Sequence, residues 1–335
     1  MKIIITYLRF IENKKRMLLF LDFILIILFT PLLFNQSQAQ TNPVESIMGT
    51  FEKYSKNPIL LSHGTGFEAK AVFNPAAIVK NDTIFLLYRA EDWKGVRQWK
   101  GTSSIGMAFS IDGVNFTRYD NPVITPEFDY ETPGGCEDPR IVRIEDTYYL
   151  TYTAYNGKSA RLAMATSQDL IHWDKKGLII PWEWSKAGAI LPVKINNHYI
   201  MYFGDNNIHI AYSDDLIKWK VADEPVLYPR EGYFDDRIVE PGPPPILTEQ
   251  GILLIYNGSN KQIHYEVGWA LYSKDDPTQL IDRSEKPFLS LSEDIEKYGQ
   301  VPNVIFTEGL VYFKDIWYLY YGASDTYIGV AIGKK

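Results

Sequence analysis

One unit recurs along this chain, and few folds accommodate it. An apolar strand leads through a polar turn into a second strand that ends on aromatic and small residues. The copies run from Asn74-Pro75-Ala76-Ala77-Ile78-Val79 to Leu87-Tyr88-Arg89-Ala90, and from Asp138-Pro139-Arg140-Ile141-Val142 to Thr151-Tyr152-Thr153-Ala154. The third runs from Gly188-Ala189-Ile190-Leu191-Pro192 to Met201-Tyr202-Phe203-Gly204, and the fourth from Gly242-Pro243-Pro244-Pro245-Ile246 to Ile255-Tyr256-Asn257-Gly258. The fifth runs from Pro302-Asn303-Val304-Ile305 to Tyr320-Tyr321-Gly322-Ala323. Between the paired strands stand Asn81-Asp82, Glu145-Asp146, Asn196-Asn197, Gln250-Gly251 and Lys314-Asp315, which are hairpin turn signals. A second hairpin follows most copies. It is marked by Ser110-Ile111-Asp112, Ser167-Gln168-Asp169, Ser213-Asp214-Asp215 and Ser273-Lys274-Asp275.

Four strands per unit and a period of about 50–65 residues predict an all-β chain folded as a five-bladed β-propeller over residues 51–335. The fifth copy has no outer strand of its own. Lys56-Asn57-Pro58-Ile59-Leu60 matches the outer strand Asn121-Pro122-Val123-Ile124, so the N-terminal strand is expected to close the last blade.

Residues 1–40 read differently. Lys14, Lys15 and Arg16 precede an apolar run from Met17 to Phe34, and small residues Ser37 and Ala39 follow. This order predicts a secretory signal peptide cleaved after about Ala39, and a periplasmic or secreted protein. The rival reading is an uncleaved anchor, since the run almost spans a bilayer. A net charge of −7 argues against nucleic acid as a partner. The single Cys136 excludes an internal disulfide and a cysteine metal site, and the five histidines show no paired spacing. No metal and no cofactor are expected, and the oligomeric state is not legible.

In a propeller the starts of the first strands converge on one face. They would bring together Asn74, Glu137, Asp138, Lys186, Glu240 and Asn303. The ends of the second strands would add Arg89, Glu91, Asp92, Tyr155, Asp205, Asn257 and Asp325. Folding alone does not require so many charges at that place. Pro139 holds Asp138 at the mouth of its strand, which suits a general acid with Glu137 raising its pKa and Arg140 orienting a substrate. Paired carboxylates with aromatic, Asn and Arg neighbours describe a glycoside-processing site. Asp138 as acid and Glu240 as base come from different blades, which allows the separation of about 6.5–9.5 Å that an inverting enzyme needs. Glu285 is a second candidate for the base.

Several motifs in order resemble glycoside hydrolase family 130: Asn74-Pro75-Ala76, Arg89-Ala90-Glu91, Glu137-Asp138-Pro139-Arg140, Lys186-Ala187-Gly188-Ala189, Pro243-Pro244-Pro245-Ile246 and Tyr320-Tyr321-Gly322-Ala323-Ser324-Asp325. The likeness runs from about residue 55 to the C-terminus. It implies the five-bladed propeller, action on β-mannoside oligosaccharides, and Asp138 as general acid, acting in the phosphorylases through a hydroxyl of the bound mannose. It also implies that Asn74, Arg89 and Asp325 hold the sugar. Phosphorylases of that family carry a histidine where this chain has Asn257, and a small residue where it has Glu240. Losing a cation and gaining an anion there points to the β-1,2-mannosidases of the family, and so to an inverting hydrolase. Arg161 and Lys186 resemble phosphate-side basic residues and keep a mannoside phosphorylase as the alternative. A non-catalytic mannan-binding propeller is the third reading.

Overall fold

Two-residue turns with both residues at positive φ set the hairpins. Asn81-Asp82, Asn196-Asn197 and Lys314-Asp315 all lie in the left-handed region, the backbone of a type I′ turn, whose twist matches that of paired strands. The computed structural model describes residues 42–94, 101–180 and 182–334. The expected leader, residues 1–40, lies outside the described residues.

The chain is all-β. A short helix α1 (Pro43–Met48) precedes β1 (Thr50–Lys53). Five antiparallel groups follow. The first is β2 (Ala71–Lys80), β3 (Thr83–Glu91), β4 (Ser103–Ser110) and β5 (Thr117–Arg118). The second is β6 (Gly135–Ile144), β7 (Thr147–Tyr155), β8 (Ala160–Ser167) and β9 (Asp174–Leu178). The third is β10 (Ala189–Ile190), β11 (Tyr199–Phe203), β12 (His209–Ser213) and β13 (Lys220–Val221). The fourth is β14 (Ile238–Pro241), β15 (Ile246–Leu247), β16 (Ile252–Ser259), β17 (Tyr265–Tyr272) and β18 (Leu280–Arg283). A one-turn helix α2 (Asp294–Lys297) leads to the fifth: β19 (Ile305–Phe313), β20 (Ile316–Ala323) and β21 (Tyr327–Lys334). A single parallel bridge, Ser103 to Gly135, joins the first two groups into one eight-stranded sheet. The N-terminal strand completes the last group: β1 pairs with β21, and Leu60 bridges to Ile328.

The core is divided between groups. One cluster of buried apolar residues joins the first and second groups, and others join the second to the third, the third to the fourth and the fourth to the fifth. A further cluster, with Leu86, Tyr88, Tyr320 and Val330, joins the fifth group back to the first.

Four groups share a device that the sequence reading missed. A second-strand tyrosine bonds a buried carboxylate from the loop ahead of the group, and a fourth-strand cation pairs with the same carboxylate. The sets are Tyr88, Glu68 and Arg118; Tyr152, Glu131 and Lys175; Tyr256, Asp235 and Arg283; and Tyr321, Glu296 and Lys53. In the second set the tyrosine hydroxyl donates at 2.7 Å and Lys175 Nζ lies at 2.8 Å. Lys53 belongs to β1, so the N-terminal strand supplies to the last group what β5, β9 and β18 supply to theirs. The third group lacks the acid: Tyr202 donates to the Pro277 carbonyl at 2.8 Å instead.

Candidate active site

Bulges build the site. In three groups the first strand slips register near its start, between Phe73 and Pro75, Glu137 and Arg140, and Thr307 and Gly309. The extra residue turns its side chain out of the ladder's alternation. Those residues include Asn74, Asp138 and Glu308. Asn74 and Asp138 take φ of +48° and +51°, a region that Asn and Asp tolerate better than most side chains. Asn74 Nδ2 donates to Asp138 Oδ1 at 2.9 Å across the two strands. Gly322 makes room for this, because a Cβ there would fall 2.0 Å from Asn74 Oδ1.

Arg89 is the hub. Its Nη2 donates to Glu91 Oε1 at 2.7 Å and Glu137 Oε1 at 2.9 Å, and its Nη1 lies 3.3 Å from Asp138 Oδ1. Its guanidinium rests on Phe73 at 4.7 Å, and its Nε donates to Ser103 Oγ at 3.0 Å. A second cation, Lys186, stands 3.3 Å from Glu240 Oε1 and 3.6 Å from Asp205 Oδ2. Between them opens a cavity of about 240 Å³, lined by Phe73, Arg89, Glu91, Glu137, Tyr155, Ala160, Trp184, Lys186, Gln300 and Asp325. Charged groups and aromatic rings share its wall, as expected for a polar ligand with apolar faces. Asp138 and Glu240 are off this wall but touch residues that form or adjoin it: Asp138 contacts Arg89 and Asn74, and Glu240 pairs with Lys186.

Burial and charge sort the carboxyls. Burial lifts the Glu137 carboxyl to about 8 against the pull of Arg89, helped by its neighbours Asp138 and Glu91. Burial also acts on Asp138, but Arg89, Lys186 and the Asn74 amide outweigh it and hold Asp138 below the ordinary carboxylate range. Arg89 serves three carboxylates, and Glu137 is the one left holding a proton. So the raised partner is Glu137, the reverse of the expectation for Asp138. Burial lifts Asp325 to about 7 against Arg89, and Glu240 to about 7 against Lys186 with Asp205 adding to the rise. Glu91 stays low, since Arg89 and Lys70 overcome its burial.

Several expected site residues lie elsewhere. Arg140 is 2% exposed. Its donors go to the carbonyls of Gly242 (2.9 Å), Pro241 (2.8 Å) and Asp138 (3.1 Å), and to an ion pair with Glu308 at 3.1 Å. It braces three first strands and does not reach the cavity to orient a substrate. Asn257 is fully buried and stapled to Thr307, accepting from its backbone N–H at 2.8 Å and donating to its carbonyl at 3.1 Å. Asp92 caps its own loop, accepting from the N–H groups of Lys94 and Thr102. Asn303 is off the cavity wall, and its carbonyl accepts from Tyr265 N–H. Arg161 points to Glu183 at 3.4 Å. Glu285 is exposed on the chain after β18, away from this cluster.

Four residues of the site escaped the sequence reading. Gln300 donates to Glu91 Oε2 at 3.2 Å and to the Asp325 carbonyl at 2.6 Å. Phe73 and Trp184 line the cavity. Glu308 is fully buried, and burial raises its carboxyl well above the ordinary value. The place of Glu308 was legible in principle, since it occupies in the fifth copy the position of Asn74 and Asp138. A following glycine where those have proline hid it.

Residues 37–335 match the family model described as β-1,4-mannooligosaccharide phosphorylase. The chain belongs to glycoside hydrolase family 130. Among family 130 relatives, a 1,2-β-oligomannan phosphorylase from Thermoanaerobacter sp. (strain X514) is 39% identical over 84% of this chain and 96% of its own length. A glycosyl hydrolase from Bacteroides ovatus superposes with a TM-score of 0.81 at 37% identity, covering 86% of this chain and 94% of its own. Another solved structure, with a TM-score of 0.82 at 37% identity, covers 85% of this chain and 94% of its own. It comes from work on family 130 glycoside hydrolases that target β-1,2-mannosidic linkages in Candida mannan.

Proposed function

We propose that this family 130 protein is an inverting β-mannosidase that cleaves β-1,2-linked mannosides with water. The observation that carries the choice of water is the state of the cavity's cations. Arg89 is already shared by Glu91, Glu137 and Asp138, and Lys186 by Asp205 and Glu240. Phosphate entering there meets Glu91 and Asp138, both held ionised, whose repulsion at an effective dielectric of about 20 amounts to a few kcal/mol at contact distance. Water meets no such barrier. Asp138, ionised in the empty site, is the general acid: it takes up a proton as the substrate binds and passes it to the leaving-group oxygen as the glycosidic bond breaks. Glu240, lifted by burial to about 7, accepts the proton from water.

The second reading is phosphorolysis. The phosphorylase relative at 39% identity favours it, as does the placement of Lys186 on the cavity wall. Incubation with β-1,2-mannobiose, with and without phosphate, separates the two. Release of mannose without phosphate, first as the α-anomer by proton NMR, supports hydrolysis, and Glu240→Gln abolishes it. A strict need for phosphate with mannose 1-phosphate as product overturns it, and binding without release makes the protein a lectin.

We also propose that the five groups close into a five-bladed propeller. The support is the series of core clusters that joins each group to the next and the last to the first. An experimental structure with a different arrangement of the groups would overturn this. Residues 1–40 are proposed as a cleaved leader that sends the protein to the periplasm or outside the cell. A mature chain starting near Gln40 by mass spectrometry is the expected result.

A further inference from the structure

Trp184 is held in a costly way that folding does not explain. Its φ is +62°, a region that costs a bulky side chain of order 1–3 kcal/mol. The residue is 50% exposed, and among the described residues no aromatic ring packs on it. Yet its surroundings are fixed on every side. Trp182 packs against Phe203 at 5.7 Å and edge-on to His209 at 5.4 Å. Glu183 pairs with Arg161. Ser185 is buried, and its hydroxyl bonds the Trp182 carbonyl at 2.8 Å and accepts from Leu162 N–H at 3.0 Å. The Trp184 N–H itself donates to the Ala160 carbonyl at 2.6 Å. Its three neighbours are tied to the fold, and the one free ring lines the cavity.

Its exposure assigns the occupant. The charged groups that would hold the reacting sugar, Arg89, Glu137 and Asp325, are buried or nearly so, while Trp184, lining the same cavity, is half exposed. A pyranose presents a face of C–H groups, which the electron-rich face of an indole attracts, and a rigid indole loses little entropy on binding. We propose that Trp184 is a preorganised stacking platform for the second sugar ring, the one that leaves, and so a determinant of preference for oligosaccharides. The proposal rests on the mannoside reading above.

The test uses calorimetric titration of the Asp138→Asn protein with mannose and with β-1,2-mannobiose. Adding Trp184→Ala is expected to weaken mannobiose about tenfold more than mannose, the size of a stacking contact of about 1.4 kcal/mol. Adding Trp184→Phe instead should restore part of the difference. Equal weakening of both sugars, or none, overturns the platform while leaving the mannoside reading intact. Absence of mannobiose binding before Trp184 is touched overturns both.

Discussion

Two sets of buried or half-buried carboxylates occupy this molecule, and they are treated in opposite ways. The outer acids, Glu68, Glu131, Asp235 and Glu296, each have a tyrosine hydroxyl and a cation. Glu131 also accepts the backbone N–H groups of Glu127 and Phe128, and these partners hold it below the ordinary range despite its burial. The inner acids, Glu137, Asp138, Glu240, Glu308 and Asp325, share Arg89, Arg140 and Lys186 between them, and most are pushed upward by burial. A fully partnered buried acid ties strands together. A crowded, under-partnered one keeps a proton in reach of neutral pH, which stability does not require and acid–base chemistry does.

Breaking an inner member should cost chemistry, and the largest effect is expected there. Asp138→Asn should lower turnover by about 10²–10⁴-fold, the range for loss of a general acid, with Tm nearly unchanged. Steady-state rates beside a thermal melt check this, and near-normal turnover would remove Asp138 from the role.

Breaking an outer member should do the reverse. Glu131→Gln leaves Lys175 without its buried partner, and loss of one side of such a pair costs about 3–5 kcal/mol. Denaturant unfolding should show that loss, with turnover per folded molecule retained. A fall in turnover at unchanged stability would blur the distinction between the two sets.

Glu137 and Glu131 should also answer pH with opposite signs. An acid raised on folding, such as Glu137 at about 8, favours the native state most below its ordinary value, and that advantage is lost as pH rises toward 8. A lowered acid such as Glu131 favours it above the ordinary value, and the advantage is lost as pH falls. Unfolding midpoints from about pH 4 to 9 should therefore decline on both sides. Glu137→Gln should flatten the alkaline decline, and Glu131→Gln the acid one. If Glu137→Gln leaves the alkaline side unchanged, Glu137 does not hold the proton.

The smallest contrast lies within the outer set. Tyr256→Phe removes a hydrogen bond to a buried carboxylate that still keeps Arg230 and Arg283, and should cost about 1.5–3 kcal/mol, while Tyr202→Phe loses only a bond to a carbonyl, about 1 kcal/mol. Equal costs by chemical denaturation would mean that the third group's missing acid has no energetic consequence.

Much of this was readable along the chain. The fivefold hairpin repeat, the all-β class and the pairing of the N-terminal segment with the last hairpin follow from alternating apolar residues and turn chemistry, which are local properties. So does the gathering of Asn74, Arg89, Glu137 and Asp138, because first strands start and second strands end at the same edge. What side chains do after arriving there was not readable. Arg140 and Asn257 sit in the right positions of the repeat and still point away, because a guanidinium two residues past a bulge meets the carbonyls of Pro241 and Gly242 about a hundred residues on. Trp184 lies in the segment ahead of the third group, where the segments ahead of the other groups carry a buried acid, so no repeat announced it. Which of two adjacent acids carries the proton was decided by where one arginine's charge falls among three carboxylates. Sequence determined which groups meet. Only the tertiary structure decided which of them are satisfied there, since burial and shared cations depend on strands far apart in the chain.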